Sequence, residues 1–480
     1  VLLGFVDQQS LGRQIALTFG VPNFRWVDVP RVGQGAERVN QFLDKALKCL
    51  TDPLTDKEKE TGMYNPPPDP RIAFTGTLLD AQEFYQRTSL VASCKNCPIA
   101  LWTDALPIII PTEEKVKEML TGTSHKPDEF IMYTRDMTRS FSTSGITVQV
   151  KKGDPYHFLP LAWGATVEKV AVNAVMAGCK PAYLPVVLAS AETGVSYTTT
   201  NGPAGYGLNV DGPIINELGM NTVQPFQMVG NPACMAIGRT YDLMLINLGG
   251  AAQGSSNTNL GSPVNRTGVC IPIHEDVALL PPGWLPNNET ATVTLPDGTT
   301  RPVTKNDSIV RTSGSCYITL ENFAPSAFLD LNQGKGPLAR ALGVEGKPGK
   351  YNVLEYLLPK IMGSGMSGPG GTSWMMTPAI AQSLYDYGFK TKADVGKWMG
   401  TVTWTTVGEF RKTGWYDFTT SGQVGGAIDP VTGKLWRELP DDTRKSGTSA
   451  SILVVPAAAG YEFLIGYGGG GTVHLIDPWR

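Results

Sequence analysis

Trp163-Gly-Ala-Thr-Val-Glu-Lys-Val-Ala-Val-Asn-Ala-Val-Met-Ala-Gly178, followed by Cys179-Lys-Pro-Ala-Tyr-Leu-Pro-Val-Val-Leu-Ala189, is the stretch that decides the fold. Its first half predicts a helix. Thr166 is placed to cap it, Glu168 suits the positive end of the dipole, and Gly178 is a natural stop. The second half, Tyr183–Ala189, is a short apolar run rich in aliphatic residues and is expected to be a buried strand. At about 100° per residue, Lys169 and Asn173 share a face with Thr166, beside an apolar stripe of Val167, Ala171 and Ala174. That polar face reads equally well as solvated surface or as one wall of a site.

The same organisation continues downstream. Asp211-Gly-Pro213 leads into a short helix, Ile214–Leu218, closed by Gly219. Asn231-Pro-Ala then opens a longer helix through Leu248, with Pro232 in its first turn and Gly249-Gly250 as its stop. Arg239 and Asn247 sit in that helix among apolar neighbours, where polar groups need partners or a cleft. A loop rich in glycine, serine and asparagine follows, and then Val269-Cys-Ile-Pro-Ile-His-Glu-Asp276. The spacing predicts one pocket, lined by the helix from Thr166, the turn at Asp211, the helix carrying Arg239, and Cys270–Glu275. Lys169, Asn173, Arg239 and Asn247, with Glu168 and Asp211, are its candidate substrate-binding groups.

Length and charge limit the possible functions. The chain has 480 residues, enough for a large core and several domains. Its net charge is −3, so no basic footprint points to nucleic acid. No apolar run reaches the roughly 18 residues of a membrane span; the nearest, Ala105–Pro111, is far shorter. Seven cysteines, an odd number in a large chain, fit a reducing, cytoplasmic setting better than a disulfide scaffold. The sequons at Asn265, Asn288 and Asn306 are short enough to arise by chance.

The fold class expected is α/β. Residues 1–58 read strand, helix, strand, helix, a partial Rossmann-like parallel unit that begins with Val1–Val6 and implies further strands upstream or from another chain. Residues 59–75 form a proline-rich linker around Asn65-Pro-Pro-Pro-Asp-Pro70. Residues 76–157 make a helical connecting segment containing Cys94-Lys-Asn-Cys97. Residues 158–480 build a large multi-layer α/β body that carries the pocket. Within this body Pro296-Asp-Gly298 marks a hairpin, and Ser373–Met376 a strand. Helices are expected over Ala379–Tyr387 and Lys392–Met399, and a strand over Ile452–Val455. The glycine-rich runs Met362–Thr372 and Gly466–Gly471 lack the order of a P-loop or dinucleotide fingerprint.

Several of these segments together carry a resemblance. They are the opening strand–helix–strand, Trp102–Thr123, Ala165–Cys179, Asp211–Gly219, Asn231–Gly250, Cys270–Glu275 and Met376–Met399. As a set they resemble the bacterial family named for a Sec-Gly-Ser-Cys (UGSC) redox motif. The resemblance implies thiol-linked redox chemistry and places the named motif ahead of the part corresponding to Val1. Ser313-Gly-Ser-Cys316 lies too late in the chain to be that motif.

The reactive groups leave three functions open. The first is a thiol-linked enzyme acting on a small polar molecule by redox or reductive bond cleavage, with Cys94, Cys97 or Cys270 in the chemistry and His274 and Glu275 nearby. The second is a metal-assisted lyase or hydrolase, with a divalent metal on His157, His274 and Glu275. The third is a non-catalytic subunit of a larger complex. No cofactor is named by the sequence beyond that metal option. The assembly expected is a homo-oligomer, or a complex with an N-terminal UGSC-like portion. No catalytic-serine motif argues for a hydrolytic triad. The lone His474 beside apolar residues reads as a satisfied structural histidine.

Overall fold

The computed structural model describes residues 1–4, 9–18, 20–30, 35–62, 71–86, 88–90, 98–100, 102–141, 146–159, 162–193, 207–222, 230–250, 269–273, 277–286, 291–295, 297–313, 317–320, 372–402, 404–408, 432–434, 438–446, 451–454, 463–467 and 473–480. Among these, the chain is an α/β protein of mixed sheets and helices. No described helix is long and apolar enough to cross a membrane.

The N-terminal segment forms the expected crossover. Strand β1 (Leu2–Gly4) and strand β2 (Trp26–Asp28) pair in parallel, joined by helix α1 (Gln9–Thr18). The helix expected next is broken in two, α2 (Gly35–Asn40) and α3 (Leu43–Thr51). After it comes α4 (Asp56–Lys59), opened by a reciprocal capping box between Thr55 and Glu58. Arg25 ties this together. Its guanidinium makes a bidentate pair with Glu58 at 2.7 and 2.8 Å and also reaches the carbonyls of Cys49, Asp52 and Pro53. Arg25 holds the Glu58 carboxyl down at about 2. Residues 51–62 are thus folded back onto the parallel unit.

Helix α5 (Leu78–Tyr85) is capped by Thr77 and Asp80. Beyond it, a short hairpin pairs β3 (Thr88–Leu90) with β4 (Pro98–Ala100). Helix α6 (Glu113–Met119) starts at Thr112, whose side chain accepts from Lys115 N as its position before two glutamates predicts. Strands β5 (Met137–Phe141) and β6 (Ile146–Val150) make an antiparallel hairpin.

The main core gathers around two consecutive helices. Helix α7 (Val167–Ala177) runs from the Thr166 cap to Gly178, which takes the left-handed conformation at φ 84°. Helix α8 (Leu184–Glu192) follows a single turn of 3-10 helix at Pro181–Tyr183. This corrects the strand expected at Tyr183–Ala189. A short continuous apolar run fits a buried helix as well as a buried strand, and here every residue from Leu184 to Ala191 is buried. Pro185 falls in the first turn, where a missing N–H costs nothing, and the run goes on as Ala-Ser-Ala, which favours helix.

Helix α8 lies between its helical neighbours and a four-stranded sheet. Strand β7 (Gly207–Asp211) pairs in parallel with β8 (Val269–Ile273) and antiparallel with β11 (Ile309–Ser313). Strand β18 (His474–Leu475) extends the other side of β11. Helix α9 (Ile214–Glu217) is brief, and α10 (Pro232–Gly249) is the long helix expected, ending on left-handed Gly250. Helix α10 packs on α7, α8 and β8, and α8 packs on β11 and β18. Phe158, Ile131, Leu184, Leu188, Leu208, Ile237 and Tyr241 fill the space between.

The Asp-Gly hairpin is present as β9 (Thr292–Thr294) against β10 (Thr300–Pro302). It is braced by Arg301, which pairs with Asp307 at 2.7 and 2.8 Å; Asp307 also accepts from Thr304. Arg301 first, with Thr304, draws the Asp307 carboxyl down to about 2. A second four-stranded sheet has the order β12 (Tyr317–Leu320), β17 (Phe463–Tyr467), β13 (Thr372–Met376), β16 (Ser451–Val454). Helices α11 (Pro378–Tyr387) and α12 (Lys392–Val402) match the expectation from Thr377-Pro378 and Gly388. A last hairpin joins β14 (Trp404–Thr406) to β15 (Arg444–Ser446).

Gly212 is where β7 turns toward α9. Its φ is 98°, and an added Cβ would collide with the Asp307 carbonyl. Gly219 also has positive φ, 61°, but open space around it. Gly212→Ala is therefore expected to cost about 3 kcal/mol and Gly219→Ala about 1 kcal/mol, because only the first adds a clash to the backbone strain. Urea unfolding of the two variants tests this; equal losses would show that the approach of β7 to Asp307 is not tight.

Candidate functional site

The polar faces of α7 and α10, two of the four elements expected to line the pocket, are met by the protein's own chain. Asn247 Nδ2 donates to Asn173 Oδ1 at 2.8 Å and to the Trp102 carbonyl at 3.0 Å, while Asn173 Nδ2 donates to the Lys169 carbonyl. Two turns earlier on α10, Arg239 makes a bidentate pair with Asp104 at 2.8 and 2.9 Å and donates to the Pro107 carbonyl. These contacts hold residues 102–111 as a strap across both helices. Ile108 of the strap packs on Met176 and Leu243, and Ile109 N–H bonds to the Met176 carbonyl. Ala105 sits in the strap at φ 67°, a left-handed conformation that costs a non-glycine residue about 1–2 kcal/mol. Of the predicted binding residues, Asn173 and Asn247 are thus brought together, and the strap engages Asn247 and Arg239.

The other three are placed elsewhere. Glu168 forms a bidentate pair with Arg71, which also reaches Glu113. Lys169 is exposed. Asp211 is buried at the end of β7, where its Oδ1 accepts from Gly212 N at 2.7 Å. His157 is partly buried, its backbone N–H donating to Tyr133 Oη and its ring meeting Tyr133 edge-on at 5.7 Å. His274, Glu275, Cys94 and Cys97 lie outside the described residues, as does Cys316. No group of three or more His, Cys, Asp or Glu side chains suited to a metal ion occurs among the described residues.

Three cysteines far apart in sequence converge in the interior. Cys270 on β8 faces Cys234 in the first turn of α10, and both belong to the main core. Cys179, just past α7, packs against the same cluster and its Sγ lies 3.2 Å from Thr240 Oγ1. Cys234 and burial together push the Cys270 thiol well above its ordinary value. Part of the Cys179 residue reaches the surface, but its sulfur is enclosed, and burial pushes that thiol up to about 12. Each of these two is held as thiol, not thiolate, at neutral pH. Sequence spacing pointed to Cys270 and His274; the partner Cys234 carries no local signal, because only the packing of α10 on β8 brings it close.

Two histidines find partners distant in the sequence. His474 on β18 places Nδ1 3.3 Å from Glu192 Oε2 at the end of α8, and both side chains are nearly buried. His125 lies between Glu129 Oε1 and the Pro478 carbonyl, each at 2.8 Å, with its ring over Trp479 at 4.4 Å. Around it Thr123 and Ser124 hydroxyls donate to the Trp479 and Arg480 carbonyls, and Arg480 pairs with Glu217. The His125–Pro478 contact spans 353 residues and the His474–Glu192 contact 282, so no window of sequence displays them.

No protein-family model, curated protein or solved structure matches this chain.

Two expectations follow from these geometries. Arg239→Met leaves the Asp104 carboxylate, only 11% exposed, without its guanidinium. A loss of about 3 kcal/mol is expected, with Asp104→Asn in the same chain restoring part of it; full additivity of the two changes would show that the pair does not hold the strap. For His125, burial opposes the charged ring, but the Pro478 carbonyl and Glu129 outweigh it and raise the pKa. The group then stabilises the fold fully below its unfolded pKa of about 6.5 and loses that contribution as pH rises through the raised folded value. The gap in thermal midpoint between wild type and His125→Asn is expected to be widest at acidic pH and to close on the alkaline side. A gap that widens with pH would reverse the assignment.

Proposed function

We propose that the chain is a thiol-linked enzyme that reductively cleaves a disulfide bond in a small polar molecule, with Cys234 and Cys270 as the dithiol. The observation that carries this reading is the meeting of those two side chains from separate elements, both as free thiols. A single nucleophilic Cys270 is the less favoured version, since the thiolate is the reactive form and Cys270 is buried and held protonated. Cys234 is just as buried, and it is preferred as the attacking group on one ground, its place in the first turn of α10. It sits at the positive end of the α10 dipole, where developing negative charge is favoured.

The electrons balance as follows. Cys234 attacks one sulfur of the substrate disulfide, its proton passing to the other sulfur, which leaves as a thiol, and a mixed disulfide remains. Cys270 then attacks the Cys234 sulfur, its proton passing to the second substrate sulfur as that leaves as a thiol, closing a Cys234–Cys270 disulfide. The substrate gains two electrons and the dithiol loses them; thiols of a reducing cytoplasm return the pair to its starting state. The resemblance to the UGSC family supports the same chemistry and makes an N-terminal UGSC-like portion, or a second copy of the chain, the expected assembly partner.

The test is exposure of the protein to hydroxyethyl disulfide, with peptide mapping and a turnover assay. A dithiothreitol-reversible linkage between Cys234 and Cys270 is expected, with turnover falling at least tenfold in Cys234→Ser and in Cys270→Ser and unchanged in Cys49→Ser. Absence of that linkage together with undiminished turnover in both variants would sink the reading.

A further inference from the structure

A second grouping stands apart from the thiols. Between the end of α8, strand β18, hairpin strand β9 and the segment 132–137 lies a cleft of about 60 Å³. One wall is apolar and aromatic: Tyr133 and Tyr156, with ring centroids 4.5 Å apart, together with Met132 and Val473. Its ionisable polar groups are His474, Glu192 and Arg135, and Thr134, Thr193 and Thr294 also line it. A carboxylate in the last turn of a helix sits at the unfavourable, negative end of the dipole. Glu192 occupies that position on α8 and is matched by His474.

The Glu192 contact fixes the ring. With a carboxylate on Nδ1, the proton of the neutral imidazole resides on Nδ1 and Nε2 is left as the basic atom. Arg135 at the mouth is exposed and makes no ion pair or side-chain hydrogen bond with the described residues. In the cleft Glu192 is thus committed to His474, and the Arg135 guanidinium has no counter-charge paired with it among the described residues. A planar fork of donors beside an apolar wall matches a carboxylate attached to a short hydrocarbon. The volume limits the ligand to a few heavy atoms inside the cleft.

We propose that this cleft binds a short-chain monocarboxylate, its carboxylate on Arg135, its hydrocarbon against Tyr133 and Tyr156, and its remaining polar end toward His474 Nε2. The site is independent of the Cys234–Cys270 pair and of the function assigned to it.

The chain has four histidines, so selective ¹³C labelling of histidine gives four ring signals that single substitutions assign. Titration with glycolate and with 3-hydroxypropionate, whose hydroxyl supplies the second polar end, at constant pH and ionic strength and with chloride as control, is expected to give a saturable shift of the His474 signal. Arg135→Ala is expected to weaken binding at least tenfold, and Arg135→Lys less. Because Arg135 is exposed, both variants retain the fold, which the unchanged His125 and His157 signals would verify. Cys234→Ser and Cys270→Ser are expected to bind the acids as wild type does. No saturable shift, a shift shared by all four histidines or reproduced by chloride, or unchanged affinity in Arg135→Ala would each overturn the proposal.

Discussion

Complete burial of α8 is the constraint on which the rest depends. A helix apolar on every side has no face to give to water, so other elements must cover its whole circumference. Here α7 and α10 cover it on one side and strands β11 and β18 of the four-stranded sheet on the other. At about 25 cal/mol per Å² of apolar surface, covering a handful of aliphatic side chains contributes several kcal/mol, comparable to the net stability of a domain. The C-terminal turn at Asp477–Trp479 meets the same demand by packing on α8, while the strap 102–111 covers α7 and α10 in turn.

That demand explains how the polar groups are used. Arg239, Asn173 and Asn247 lie on helices whose other faces are committed to the core, so their polar atoms need partners near at hand. Backbone carbonyls of Trp102 and Pro107 and the Asp104 carboxylate supply them. A buried bidentate pair gives little net stability compared with an apolar substitute, but it specifies position. The strap is thereby set in one register across α7 and α10, even though Ala105 must adopt a left-handed backbone to fit.

Local chemistry was legible in the sequence where it acts locally. The caps at Thr112 and Thr166, the stops at Gly178, Gly250 and Gly388, and the turn at Asp297-Gly298 each depend on residues within one turn of one another. The strand expected at Tyr183–Ala189 failed because apolar periodicity vanishes when all sides are buried, and length alone then decides between helix and strand. The candidate site was legible only by half. That Asn173 and Asn247 are neighbours followed from helical spacing and the packing of polar faces; that a strap engages Asn247 and Arg239 did not. Cys234 beside Cys270, and Glu192 beside His474, are products of tertiary packing, and no spacing rule connects them.

Both reactive groupings hang on α8. Tyr183, where the preceding turn meets the helix, lies beside Cys179 and Cys234, whereas Glu192 at the far end holds His474. Nine helical residues span about 14 Å, and a helix packed on all sides keeps that separation fixed. A ligand small enough for a 60 Å³ cleft therefore cannot touch the thiol pair while it is bound. Any dependence of one site on the other must pass through a shift of α8 itself, and such a shift would have to disturb β11, β18 and α10 together. The close packing that makes α8 a good spacer makes it a poor lever, so the two chemistries are expected to be separable by single substitutions at either end.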